Sequence, residues 1–165
     1  MADTDMVTLQ TQDGEEVQVT VKVASKSVLI KGIIDDSGIE DPIPLPSIKK
    51  PILDKVLEYC TYIDTEGNGL PEIPKPLTSG NMSDFVNEFY ANFVNVDQEQ
   101  LFELILGANF LDIKSLLELS CAKVASLIKG KNLSETRKFF NVENDFSPEE
   151  EKKLREELKW AEDEF

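Results

Sequence analysis

Residues 97–128 read DQEQLFELILGANFLDIKSLLELSCAKVASLI, and the helical spacing of their apolar residues decides the class of the chain. Asp97 stands three residues before Gln100, an N-terminal capping pattern, and Leu101, Phe102, Leu104, Ile105 and Ala108 then recur at helical intervals. This predicts a helix from about Gln98 to Asn109. Asp112 is placed to cap a second helix, whose face carries Ile113, Leu116, Leu117, Val124 and Ile128 until Gly130 stops it. Leu119 and Cys121 widen that face beyond a single stripe. Downstream, Asn132 with Glu135 forms a capping box for a short helix ending at Phe139 and Phe140. Ser147, Pro148 and Glu150 open a last helix with a cap, an N1 proline and an N3 acid.

Those last two helices carry more apolar surface than they can bury on each other. A two-turn helix is marginal in water unless its apolar side is covered. The final helix places Leu154, Leu158, Ala161 and Phe165 on one face, with Trp160 beside it and charges elsewhere. Phe139, Phe140, Val142, Phe146 and Trp160 therefore have two readings. They fold back onto the core, the ordinary fate of such aromatics, or they line an open groove for another protein's helices.

Working toward the N-terminus, Ser83 is placed to cap a helix with Phe85, Phe89 and Phe93 at i, i+4 and i+8, a core-packing pattern. Residues 64–81 are rich in Gly, Pro, Asn and acids, have no period, and read as a flexible loop with little to bury. Within it Asp64, Glu66, Asn68 and Gly69 imitate the start of a calcium loop, but Lys75 stands where the bidentate glutamate belongs. Calcium binding is not expected. Ile52, Leu53, Val56, Leu57 and Cys60 form an amphipathic helix with Pro51 in its first turn, and Ile43 and Leu45 sit between prolines as an edge strand. Ser27 opens a helix closed by Gly38, with Gly32 inside it marking either a close neighbour or a tolerated weakness. Val7 and Leu9, then Val17, Val19 and Val21, alternate about Asp13-Gly14 as a β-hairpin. Strands followed by runs of helices indicate an α+β fold, a small sheet covered by helices.

Composition narrows the function. The 165 residues carry 17 basic and 32 acidic side chains, a net charge of −15, which repels phosphate backbones and anionic membranes. No targeting segment and no membrane-spanning run is read, so a soluble intracellular protein is expected. The chain has no histidine, which removes the usual neutral-pH base, the Ser-His and Cys-His nucleophiles and any histidine-containing zinc site. Its two cysteines, Cys60 and Cys121, each fall within an apolar helical pattern and are expected to be buried, reduced thiols. Carboxylates are plentiful but lie in loops and on solvent-facing helix positions, with no pair framed by apolar residues, and neither cysteine sits beside a basic activator, so no enzyme activity and no cofactor are expected.

The run Leu101-Phe102-Glu103-Leu104-Ile105-Leu106, then Ala108 to Lys114, Ile128-Lys129-Gly130-Lys131, and Asn144-Asp145-Phe146 before Glu149, resembles the S-phase-kinase-associated (Skp) family. Asp41-Pro42-Ile43-Pro44-Leu45-Pro46 and Tyr59-Cys60-Thr61 extend the likeness over nearly the whole chain. The resemblance implies a BTB/POZ-type core over residues 1–128, including the 64–81 loop, and a two-helix F-box-binding extension over 129–165. It implies a non-catalytic adaptor of SCF-type ubiquitin ligases, cytoplasmic and nuclear, that joins F-box proteins to a cullin and through it to the RING subunit. Carried over by position, the F-box side comprises Phe102, Ile105, Leu117, Cys121, Val124, Ile128, Phe140, Val142 and Trp160. Asn109 and Phe110 fall on the cullin side. Phe110 departs from the usual tyrosine, and Leu133 from the proline that commonly opens the first added helix. Two alternatives stand beside this reading: an elongin-C-like adaptor, which would lack the added helices, and an acidic chaperone or ion buffer acting through charge alone.

Overall fold

A computed structural model describes residues 5–67, 69–157 and 159. The hairpin strands β1 (Met6–Thr11) and β2 (Glu16–Thr20) pair antiparallel, and β3 (Ile43–Leu45) pairs parallel to β1, giving the order β2-β1-β3. Pro44 thus lies in an edge strand, where its missing N–H costs no central ladder bond. Val21 ends the alternation differently from expectation. It begins a one-turn helix, α1 (Val21–Ala24), because the Thr20 side chain accepts from the Val23 N–H and caps the backbone there.

The helices that follow share one core with Val7, Leu9, Ile43 and Leu45 of the sheet. Helix α2 (Val28–Ser37) is capped by Ser27, whose hydroxyl accepts from the Ile30 N–H, and it ends at Gly38 with φ 84°. Helix α3 (Lys50–Glu66) takes Pro51 in its first turn and supplies the core with Leu53, Val56, Tyr59 and Cys60. A 3₁₀ turn (Met82–Asp84) precedes α4 (Glu88–Phe93), and the long helices α5 (Gln98–Phe110) and α6 (Lys114–Ile128) complete the core. Two short helices, α7 (Leu133–Phe140) and α8 (Pro148–Glu157), extend from it. The Tyr59 ring is fully buried, with Tyr90 and Phe93 tilted against it at centroid distances of 5.9 and 5.6 Å.

Four local expectations are corrected by these contacts. Ser83 does not cap the aromatic helix; the Asn87 side chain does, accepting from the Tyr90 N–H. Asp112 caps nothing. It adopts φ 51° just beyond the C-terminus of α5, so that its own N–H reaches the Asn109 carbonyl and the Ile113 N–H reaches Ala108. That is a helix-ending motif with an aspartate in the left-handed position, and α6 then starts without a side-chain cap. The segment after α3 also differs from a loop with little to bury. Its first residues belong to α3, Ile73 is only 3% exposed, and Leu70 and Leu77 pack against the same core. Finally Cys121 is exposed, while Cys60 is buried as expected.

Two helical glycines have opposite roles that spacing alone does not distinguish. A methyl group on Gly32 would meet no atom within 4 Å, so this glycine is a tolerated weakness in an exposed turn. Gly32→Ala is expected to raise stability by up to about 1 kcal/mol, read as a higher denaturation midpoint with unchanged denaturant slope. Gly107 is different, because a Cβ there would lie 3.1 Å from Ile52 Cγ2 and 3.3 Å from Ile48 Cδ1. It is where α5 closes onto α3. Gly107→Val would push a branched side chain into both isoleucines and is expected to destabilise by about 1–3 kcal/mol; a thermal midpoint at or above wild type would show that the contact is slack.

Candidate functional site

Helix α5 divides its side chains between two tasks. Leu101, Leu104, Gly107 and Ala108 face inward and are buried, which leaves Phe102, Ile105, Leu106 and Asn109 along the outer stripe. Leu106 is 68% exposed, an unusual position for a large apolar side chain in the middle of a helix. At the N-terminal end of the stripe Phe102 meets α7: its ring is edge-on to Phe139 at 6.2 Å and stacked on Phe140 at 6.1 Å. The Gln98 Nε2 donates to the Phe139 carbonyl and fastens the same contact.

This cluster lies between the two readings of the C-terminal aromatics. Phe139 is half-buried, but Phe140 remains 38% exposed, Leu133, Val142 and Phe146 are exposed, and α7 and α8 bury no side chain among the described residues. The Asn132–Glu135 capping box forms as the sequence predicts, and Asn141 closes the helix at φ 53°. A helix of eight residues is therefore held by its two caps, the Phe102 ring against Phe139 and Phe140, and the Gln98 hydrogen bond, while Leu133 and much of Phe140 stay exposed.

On α6, Leu116, Leu119 and Ser120 turn inward, while Leu117, Val124 and Ile128 are half-buried and Cys121 is exposed on the outer side. Beside them runs a groove of about 440 Å³. Residues 73–77 form one wall and Leu117, Cys121, Ala122 and Ala125 the floor. Across its rim Lys75 Nζ lies 2.5 Å from Glu118 Oε1, and Lys129 Nζ donates to the Leu77 carbonyl at 3.0 Å. That wall was missed in the sequence. The signal was Ile73 and Leu77, isolated apolar residues among prolines.

At the other end of α5, Asn109 is exposed and the Phe110 ring is half-buried against the core. The Ser27 hydroxyl donates to the Leu111 carbonyl at 2.5 Å, which ties the start of α2 to this corner. Phe102 and Asn109 are seven residues apart on one stripe, about 10 Å along the axis at 1.5 Å per residue. On α5 itself, Phe102 and Ile105 stand toward one end and Asn109 and Phe110 at the other, while Leu117, Cys121, Val124 and Ile128 lie on α6 and Phe140 on α7. Trp160 lies outside the described residues.

Two family models match this chain. "Skp1 family, tetramerisation domain" covers residues 5–64, and "Skp1 family, dimerisation domain" covers residues 114–161. The S-phase kinase-associated protein 1 homolog of Tetrahymena thermophila is 54% identical over 158 residues, 95% of this chain and 94% of that protein. The chain belongs to the Skp1 family. Other Skp1-family relatives are named as subunits of an E3 ubiquitin ligase complex. The SCF subunit sconC of Talaromyces marneffei is 44% identical over 160 residues, 95% of this chain and 97% of that protein, and sconC of Aspergillus fumigatus is 44% identical over 158 residues, 95% and 98%. The second family model begins at Lys114, the first residue of α6, so the Skp1 match takes in the α6 surface together with α7 and α8.

Burial pushes the Cys60 thiol up to about 12; Cys121 is exposed as a residue, but partial desolvation of its thiol pushes it upward too, which disfavours the thiolate at both. Asp64, the first residue of the calcium-like motif, is engaged by Lys22 at 3.0 Å and Lys26 at 3.3 Å, and the hydrogen bond from Lys22 holds its carboxyl below the ordinary range. Asn68 of that motif is outside the described residues. Among the described residues no three His, Cys, Asp or Glu side chains gather as metal ligands, and no helix is long and apolar enough to cross a membrane.

Proposed function

We propose that this chain is the non-catalytic adaptor of an SCF-type ubiquitin ligase, joining an F-box substrate receptor to a cullin and, through the cullin, to the RING subunit. The single observation that carries this reading is the open apolar surface of α5, α6 and α7, centred on Phe102, Phe139 and Phe140, in a chain whose relatives are named SCF subunits. The F-box side consists of Phe102, Ile105, Leu117, Cys121, Val124, Ile128, Phe140, Val142 and, from the sequence, Trp160. Asn109 and Phe110 face the cullin. Residues 1–128 act as the core and 129–165 as the F-box-binding extension, in the cytoplasm and nucleus. Burial of Cys60 withholds it from ubiquitin transfer, because a thioester needs an accessible thiolate.

Reconstitution tests the whole reading. The purified chain, a recombinant F-box protein and the N-terminal region of a cullin should form one ternary complex, with no binary complex between the other two. A chain that joined neither would not be this adaptor. The two ends of α5 are tested separately: Asn109→Ala with Phe110→Ala is expected to weaken the cullin about tenfold or more and leave the F-box protein within about twofold. Equal loss of both partners from the folded double variant would mean that the division along α5 is wrong.

A further inference from the structure

The groove beside α6 reaches past the residues assigned to the F-box side. At 100° per residue, Leu117, Cys121, Val124 and Ile128 follow one stripe of α6, while Lys114, Glu118 and Ala125 follow the neighbouring one, toward residues 73–77. Leu117 and Cys121 belong to both. The wall opposite is fixed at three points: Ile73 is sunk into the core, Lys75 is paired with Glu118, and Lys129 holds the Leu77 carbonyl. The floor is low because Ala122 and Ala125 stop at Cβ, and the resulting space of about 440 Å³ has the size of clefts that accept compact apolar groups.

We propose that this groove is a second anchor site of the F-box-binding face, and that it receives an apolar side chain from the F-box protein, packed between α6 and residues 73–77. The occupant follows from continuity, since Leu117 and Cys121 are shared by the groove and the assigned stripe, so a chain lying on that stripe passes the groove mouth. Its chemistry follows from the floor, which offers alanine methyls and a leucine. On this account residues 73–77 select among F-box proteins by the shape of the anchor they present. The inference rests on the adaptor reading and adds a contact to it.

The test fills the groove from below. Ala125→Phe places a ring where the anchor would sit and is expected to lower affinity for a recombinant F-box protein about tenfold or more, with circular dichroism and cullin binding unchanged. If Ala125→Phe binds within about twofold of wild type while Phe140→Ala with Val142→Ala loses binding, the groove is no anchor site and the adaptor reading stands. If the wild-type chain binds no F-box protein, the adaptor reading fails and this inference with it. Should Ala125→Phe misfold, hydrogen exchange on the wild-type chain decides instead: the Lys75 and Leu77 amides are expected to gain protection in the complex, and unchanged exchange there overturns the proposal.

Discussion

Phe140→Ala together with Val142→Ala should weaken binding of an F-box protein by about 2 kcal/mol or more, roughly 30-fold in Kd, while the free chain keeps its thermal midpoint within a few degrees. The two effects separate because of where these side chains stand. Phe140 is 38% exposed and Val142 is 58% exposed, so the free chain already leaves much of their surface in water and loses little on truncation. A partner that covers them gains the area and the ring contacts that continue through Phe102 and Phe139. Isothermal titration and a thermal melt on the same preparation provide both numbers. Unchanged affinity would remove α7 from the F-box side, and a fall in thermal midpoint matching the fall in affinity would return these residues to the core. The salt dependence of the wild-type titration bears on the charge-only alternative. An acidic chaperone or ion buffer would lose its binding as salt screens the net charge of −15 and would ignore the loss of two apolar side chains. Hydrogen exchange extends the same prediction to the helix itself: the α7 amides should exchange readily in the free chain and become protected in the complex.

The second large effect concerns the segment after α3. Ile73→Ala is expected to destabilise the fold by about 2–5 kcal/mol, since the Ile73 side chain is inserted in the main core and its removal leaves a cavity as well as a lost transfer energy. Chemical denaturation should show a lower midpoint with the slope retained. A loss below about 0.5 kcal/mol would mean that the segment detaches easily and is the simple connector its composition suggests. Loop-closure entropy changes slowly with length, so shortening such a connector has little consequence where nothing in it is buried. Here a deletion that spares Ile73 and one that removes it should differ sharply. The same residue fixes one end of the groove wall, so Ile73→Ala should also weaken the F-box protein, through loss of the wall rather than loss of a direct contact.

Sequence alone determined the elements whose determinants lie within a turn of each other. The caps at Ser27, Asp97, Asn132 and Ser147 were legible because each is a side chain accepting a hydrogen bond from a backbone N–H three residues on, a geometry that needs no distant neighbour. The inward and outward faces of α5 and α6 were legible through their period, and with them most of the candidate binding stripe. Where two local patterns competed, the reading failed. Asp112 has a capping side chain, but Leu111 and Ile113 are both drawn into the core, and closing the chain between them requires the left-handed backbone at Asp112 instead. Only the tertiary structure decided what each exposed-looking residue meets. Gly32 and Gly107 are both helical glycines, and nothing near either in sequence tells that one faces open solvent and the other Ile48 and Ile52. Ile73, Cys121 and Leu106 show the same limit in three directions: an isolated isoleucine among prolines is buried, a cysteine in an apolar pattern is exposed on a groove, and a leucine in a core helix points to solvent. Burial is set by elements remote in sequence, and it was the packing of α3, α5, α6 and residues 73–77 that settled which apolar surface the fold consumes and which it leaves exposed.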